Sequence, residues 1–121
     1  MLFQIVDDVL DVTATDAELG KPAGHDMEEG VYTLPVLRTL AAGDAVADEM
    51  RSLLGRPLSA EERDHALALV RGGPGIAQSI DVAVDYVRAA EAACDVLSPS
   101  DATDALRTAP AALLATVAER V

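Results

Sequence analysis

Asp7, Asp8 and Asp11, in the opening stretch MLFQIVDDVLD, are the residues in this chain best placed to do chemistry. On a helix, Asp7 and Asp11 stand at i and i+4, and Asp8 and Asp11 at i and i+3, so the carboxylates share one face. Nothing else in the stretch carries a positive side chain to pair with them. Like charges so placed repel, and a hard divalent cation relieves the repulsion. Mg²⁺ takes carboxylate oxygens, keeps several waters and accepts phosphate oxygens from a substrate. The competing reading is a solvated acidic face on an acidic protein. An EF-hand loop is excluded, because continuing from Asp7 or Asp11 yields neither the central glycine nor the closing glutamate.

A second feature follows in GKPAGHDMEEGVYTLP, where Lys21 lies between Gly20 and Gly24. A lysine on a flexible loop beside a metal-binding helix can neutralise a phosphate as a point charge. Read alone, it is an exposed surface lysine, the usual fate of that residue. His25 and His65 are read as ordinary surface residues.

These groups need elements to position them. Over residues 1–12, Leu2, Ile5, Val6, Val9 and Leu10 fall on one side of a helical wheel and Gln4, Asp7, Asp8 and Asp11 on the other. Residues 13–31 are rich in breakers and read as a long connection, functional or mobile. Helices are predicted over 33–42, with Pro35 in the first turn, and over 44–54. Ser59 and Glu62 form a capping box for a helix over 60–71, ended by Gly72-Gly73-Pro74. A helix over 75–97 carries a stripe of Ile76, Ile80, Val84, Val87, Ala90, Cys94 and Leu97. Ser98-Pro99 with Asp101 starts the last segment, expected as one or two short helices broken around Pro110.

Composition narrows the class. Half of the 121 residues are hydrophobic, yet only Phe3, Tyr32 and Tyr86 are aromatic, which favours an all-α chain packed on small side chains. Nine Lys+Arg against 21 Asp+Glu give a net charge of −12, with no footprint for nucleic acid or an anionic membrane. A phosphorylated ligand would need a cation to bridge two negative partners. The one cysteine, Cys94, fits a reducing cytoplasm. The apolar runs are too short for a membrane span, and the residues after Met1, with no basic region and no small-residue cleavage site, are not expected to be a signal peptide.

FQIVDDVLD followed by GKPAGHDMEEGVYTLP resembles the second aspartate-rich motif and following loop of the trans-type polyprenyl diphosphate synthases. The resemblance is strong over residues 3–35 and weaker afterwards, where GGPGIAQSIDVAVDYVRAAEAA is similar to a later family helix. It implies the C-terminal helices of an isoprenoid-synthase-type bundle, with residues 1–121 forming the C-terminal part of one polyprenyl synthetase domain. It also implies a Mg²⁺-dependent prenyltransferase joining an allylic diphosphate to isopentenyl diphosphate. By position, Asp7 is the main metal ligand, with Asp8 and Asp11 in direct or supporting roles. Lys21 contacts the allylic diphosphate, Phe3 and Gln4 line the substrate pocket, and Asp26 supports the site from the loop. Homodimers are expected for the complete family.

The chain departs from the family pattern in one respect: no other Asp-Asp-x-x-Asp occurs in it, and its arginines form no evident diphosphate pocket. A truncated or internally started synthase is therefore expected, inert alone. The alternative is an interaction subunit completed by a partner chain. Leu2, Ile5, Val6, Val9 and Leu10 are expected to lack neighbours, which would leave the isolated chain marginal, molten or self-associating.

Overall fold

Every residue from 1 to 121 is described by the computed structural model. Eight α-helices follow one another without a strand: α1 (Leu2–Thr13), α2 (Asp16–Leu19), α3 (His25–Glu28), α4 (Leu34–Ala41), α5 (Ala45–Leu53), α6 (Ala60–Gly72), α7 (Gly75–Ala93) and α8 (Asp101–Ala118). A 3₁₀ turn over Cys94–Val96 extends α7. No helix is long and apolar enough to cross a membrane.

The helix signals read from the sequence act where expected. The Ser59 hydroxyl accepts from the Glu62 N–H, while the Glu62 carboxylate accepts from the Ser59 N–H, closing the box that starts α6. Asp44 caps α5 through the Ala47 N–H.

Helix α1 is the centre of the arrangement, in contact with α4, α6, α7 and α8. Ile5, Val6, Val9 and Val12 are all buried in one core cluster with Val36, Met50, Val70, Ile76, Val87, Leu114 and Val117. This corrects the expectation of an uncovered apolar face. Val9 and Val12 are fully buried by helices of the same chain, and only Leu2 and Leu10 remain half-exposed. The long α7 and α8 supply the cover, because both lie against α1.

The 13–31 segment also differs from a plain loop. Thr15 and Glu18 form a reciprocal capping box that starts α2, and Gly24 starts α3. At the other end, α8 runs unbroken through Pro110. The missing N–H of Pro110 frees only the carbonyl of Leu106, an exposed residue that water can reach, while buried Leu114 and Val117 hold the following turns to the core. Its N-cap is Ser100, which accepts from the Thr103 N–H, and not Ser98.

The buried stripe of α7 is shifted as well. Gly75, Ile76, Ser79, Ala83 and Val87 are buried, whereas Ile80, Val84 and Ala90 are half-buried and Leu97 is exposed. The cause is a close approach of α4. A Cβ on Gly75 would stand 2.5 Å from both the Pro35 carbonyl oxygen and the Thr39 Oγ1. Small residues at the start of α7 let the two backbones meet, and Ser79 and Thr39 donate to carbonyls of their own helices, those of Gly75 and Pro35.

Gly75→Ala should therefore lower stability by about 1–3 kcal/mol, because backbone must move to admit the methyl. Gly72→Ala, with open space around the added carbon, should leave stability unchanged or slightly raised. Thermal unfolding followed by circular dichroism separates the two.

Candidate metal and diphosphate site

The three aspartates of α1 meet three different environments. At about 100° per residue, Asp11 lies between Asp7 and Asp8 on the helix surface. Asp7 is exposed, Asp8 is 8% exposed and Asp11 is 4% exposed. The side opposite the apolar stripe is thus only in part a solvent face, because the 13–31 loop and the start of α4 close over Asp8 and Asp11 and leave Asp7 exposed. Nor do the three carboxylates converge, and no group of three or more His, Cys, Asp or Glu side chains does so anywhere in the chain. The expected shared face exists on the helix, but tertiary neighbours divide it.

Asp8 is occupied by structural bonds. The Gln4 side-chain amide donates to its Oδ1 at 2.8 Å. Its Oδ2 accepts from the Leu34 N–H at 3.5 Å, at the N-terminus of α4. That helix lacks a side-chain cap of its own from Thr33, and Pro35 has no N–H. A carboxylate there satisfies an orphan donor and meets the positive end of the helix dipole. The Thr-Leu-Pro segment is therefore docked on the aspartate helix itself.

Asp11 is the opposite case. Both of its carboxylate oxygens are buried and lack a hydrogen-bond donor. Lys21 Nζ lies 3.3 Å from Asp11 Oδ1 and 3.7 Å from Asp26 Oδ1, an ion pair too poorly aligned to count as a hydrogen bond to Asp11. Burial, with the Asp26 charge added to it, holds the Asp11 carboxyl above its ordinary pKa, and Lys21 offsets only part of this. The carboxylates of Asp11, Asp26 and Asp7 in turn raise the Lys21 ammonium, against the lowering effect of its burial. A desolvated carboxylate with free lone pairs is a fitting ligand for a hard cation, and the exposed Asp7 one turn away can share it.

The loop that brings Lys21 here is held at several points. Gly20 and Gly24 take positive φ values of 69° and 74°, which turn the chain on either side of the lysine. The Gly24 N–H donates to the Asp11 carbonyl at 2.9 Å, and the Ala23 N–H to Asp16 Oδ1 at 2.8 Å. From α6, Arg71 donates to the carbonyls of Val12 (2.7 Å) and Ala14 (3.2 Å), capping the C-terminal end of α1. Arg63 pairs with Glu28 at 3.1 Å and steadies α3. Sequence reading missed these supports. Only the Thr15-x-x-Glu18 box had a local signature; a cap 57 residues away has none.

Phe3 is 69% exposed and stands on the Asp7 side. Gln4, by contrast, borders a groove of about 430 Å³ with Ile5, Asp8, Leu34, Leu37 and Tyr86, which Phe3 does not line. His25 pairs with Glu29 and His65 with Glu49.

The fold and this site define an all-helical protein built around an aspartate-rich helix with a lysine-bearing loop. The chain belongs to the polyprenyl synthetase family, which it matches over residues 1–70. It is 42% identical over 86 residues to nonaprenyl diphosphate synthase of Mycobacterium tuberculosis, covering 69% of this chain and 25% of that protein. It is 37% identical over 109 residues to the short chain isoprenyl diphosphate synthase of Methanothermobacter thermautotrophicus, covering 88% of this chain and 33% of that one. Its structure is similar to geranylgeranyl pyrophosphate synthase from Corynebacterium glutamicum complexed with calcium and isoprenyl diphosphate. The TM-score is 0.87 at 36% identity, covering 97% of this chain and 36% of that chain. The chain thus spans about a quarter to a third of these relatives.

Two outcomes follow from the geometry. Asp11→Asn removes a desolvated charge, so the metal-free variant should melt roughly 2–5 °C higher than the parent in a thermal scan. Glu18, bridged to Arg120 at 3.0 Å, is held at about 2, below its ordinary 4.5, chiefly by that arginine. A depressed carboxylate contributes stability that is present above pH 4.5 and lost as the pH falls towards 2. Glu18→Gln should flatten that part of a stability-against-pH curve measured by denaturant titration.

Proposed function

We propose that this chain is part of a polyprenyl diphosphate synthase, with residues 1–121 forming the C-terminal part of a single polyprenyl synthetase domain. The reaction is the head-to-tail condensation of an allylic diphosphate with isopentenyl diphosphate. The observation that carries this reading is the buried Asp11 carboxylate, 4% exposed and paired with Lys21 at 3.3 Å.

The cation is Mg²⁺, which suits an all-carboxylate donor set without sulfur or imidazole. When bound, it supplies positive charge against the departing diphosphate. Asp7 and Asp11 hold it. Asp8, whose oxygens already accept from Gln4 and Leu34, acts in support by orienting α1 against α4. Lys21 contacts the allylic diphosphate, and Asp26 keeps the ammonium at hand. Phe3 and Gln4 face the substrates. In the reaction the allylic C–O bond breaks with its electron pair leaving on diphosphate. The double bond of isopentenyl diphosphate then attacks the allylic carbon, and loss of a proton restores an alkene.

The chain contains one Asp-Asp-x-x-Asp and no second, so it offers one wall of a two-walled diphosphate clamp and is inactive alone. The synthases among its relatives count against a purely non-catalytic interaction subunit. A homodimer of the complete enzyme and a cytoplasmic location accord with this reading. A buried free Cys94 fits a reducing compartment.

The test has two arms. With Mg²⁺, an allylic diphosphate and labelled isopentenyl diphosphate, the purified chain alone should give no elongated product; measurable elongation overturns its inactivity. In calorimetry, inorganic pyrophosphate should bind when Mg²⁺ is present and fail to bind without it. Asp7→Asn should weaken the Mg²⁺-dependent uptake about tenfold or more, as loss of a charged ligand does. Equal pyrophosphate binding with and without Mg²⁺ would reject the metal-bridged site.

A further inference from the structure

Arg120 lies just beyond α8 and forks onto Glu18 of α2, 102 residues earlier in the sequence. Its Nη2 donates to Oε1 at 3.0 Å and its Nη1 to Oε2 at 3.3 Å. Helix α2 is four residues long and buries none of them, so it cannot hold its own shape. Half-buried Leu19 gives it only an edge of contact with the core. Its other ties are polar. Glu18 Oε2 accepts from the Thr15 N–H at 2.7 Å, and Asp16 Oδ1 from the Ala23 N–H at 2.8 Å. The second bond spans Lys21, so the order of α2 carries through to residue 23. Beyond it, the Gly24 N–H is tied separately to the Asp11 carbonyl.

The arm that carries Arg120 is fixed at its base. Val117 is fully buried, and its carbonyl accepts from the Arg120 N–H at 3.0 Å. The arginine side chain is 32% exposed. It borders a hollow of about 350 Å³ with Thr13, Ile76, Ala77 and Val121. The guanidinium thus joins a rigid helix end to an element with little packing of its own. A forked pair fixes orientation as well as distance, which a single contact does not.

We propose that the C-terminal arm is a latch on α2. Fastened, Arg120 keeps residues 15–23 in their observed turn; unfastened, that segment opens while α1, α6, α7 and α8 stay folded. The latch needs no cation and does not rest on the metal-binding reading above. Its hold is electrostatic and part-exposed, so salt weakens it. The opening has defined limits: Arg71 still caps α1 from α6, and the Gly24 bond still closes the far side of the loop. The last residues of the chain therefore govern how open the loop after α1 is, from the opposite end of the sequence.

Lys21 is the only lysine in the chain and is followed by Pro22. An endoproteinase that cuts on the amino side of lysine therefore has one site, Gly20–Lys21, inside the latched segment. With little protease, the native full chain is cut at a rate set by the open population. Arg120→Gln should raise that rate about fivefold at low salt, the effect of losing an ion pair at the strong end of the part-exposed range. The ratio of variant to parent should fall towards one in about 1 M NaCl, where the parent's latch is screened. Gly75→Ala, which strains the distant contact of α7 with α4, separates local from global opening. It should melt lower than the parent yet be cut more slowly than Arg120→Gln. An Arg120→Gln rate equal to the parent's overturns the latch, as does a ratio that salt leaves unchanged. So does cleavage of Gly75→Ala as fast as that of Arg120→Gln, which would mean that cutting follows global unfolding.

Discussion

Asp11 is a carboxylate kept out of water by the helix that also supplies the centre of the core. Most of the architecture around it follows from that conflict. Ile5, Val6, Val9 and Val12 must be buried for the bundle to hold, and on the opposite side of the same helix the 13–31 loop and the start of α4 take Asp8 and Asp11 out of water while Asp7 stays exposed. A free aspartate costs folding energy there unless charge or donors reach it. The chain answers in two ways. Asp8 is satisfied by Gln4 and by the start of α4, and is thereby drawn into structure. Asp11 is instead paired with the Lys21 ammonium at 3.3 Å.

That difference explains why the loop after α1 is so heavily tied. An ammonium carried on a free loop would lose its entropy for little gain. Here the loop is pinned by backbone bonds to Asp11 and Asp16, by the capping box of α2 and by Arg63 on Glu28. Arg71 of α6 and Arg120, just beyond the end of α8, add ties from positions distant in sequence, one to the end of α1 and one to Glu18. The position of Lys21 is thus bought with contacts that themselves do no chemistry.

Much of this was legible without coordinates. The all-α class, the boundaries of α1, α4, α5 and α6, and the lysine loop follow from periodicity, caps and breakers. The motif over residues 3–35 pointed to the family, and the family match over residues 1–70 agrees with it. Other features were beyond local reading. Pro110 reads as a breaker, but packing of Leu114 and Val117 carries α8 through it. The α7 stripe reads as its large apolar residues, yet Gly75, Ser79 and Ala83 face the core because α4 comes so close.

Sequence alone determined which residues are candidates for binding a cation and a phosphate, since carboxylates at i, i+3 and i+4 and a lysine between glycines are local facts. Tertiary structure decided which of them are free to do so. The apolar face of α1 proved to be covered because α7 and α8 fold back onto it from more than sixty residues away. On the other side of that helix, the start of α4 buried Asp8 and the 13–31 loop buried Asp11. A wheel can place three carboxylates on one face; only the surrounding helices determine how much water, and which donors, each one keeps.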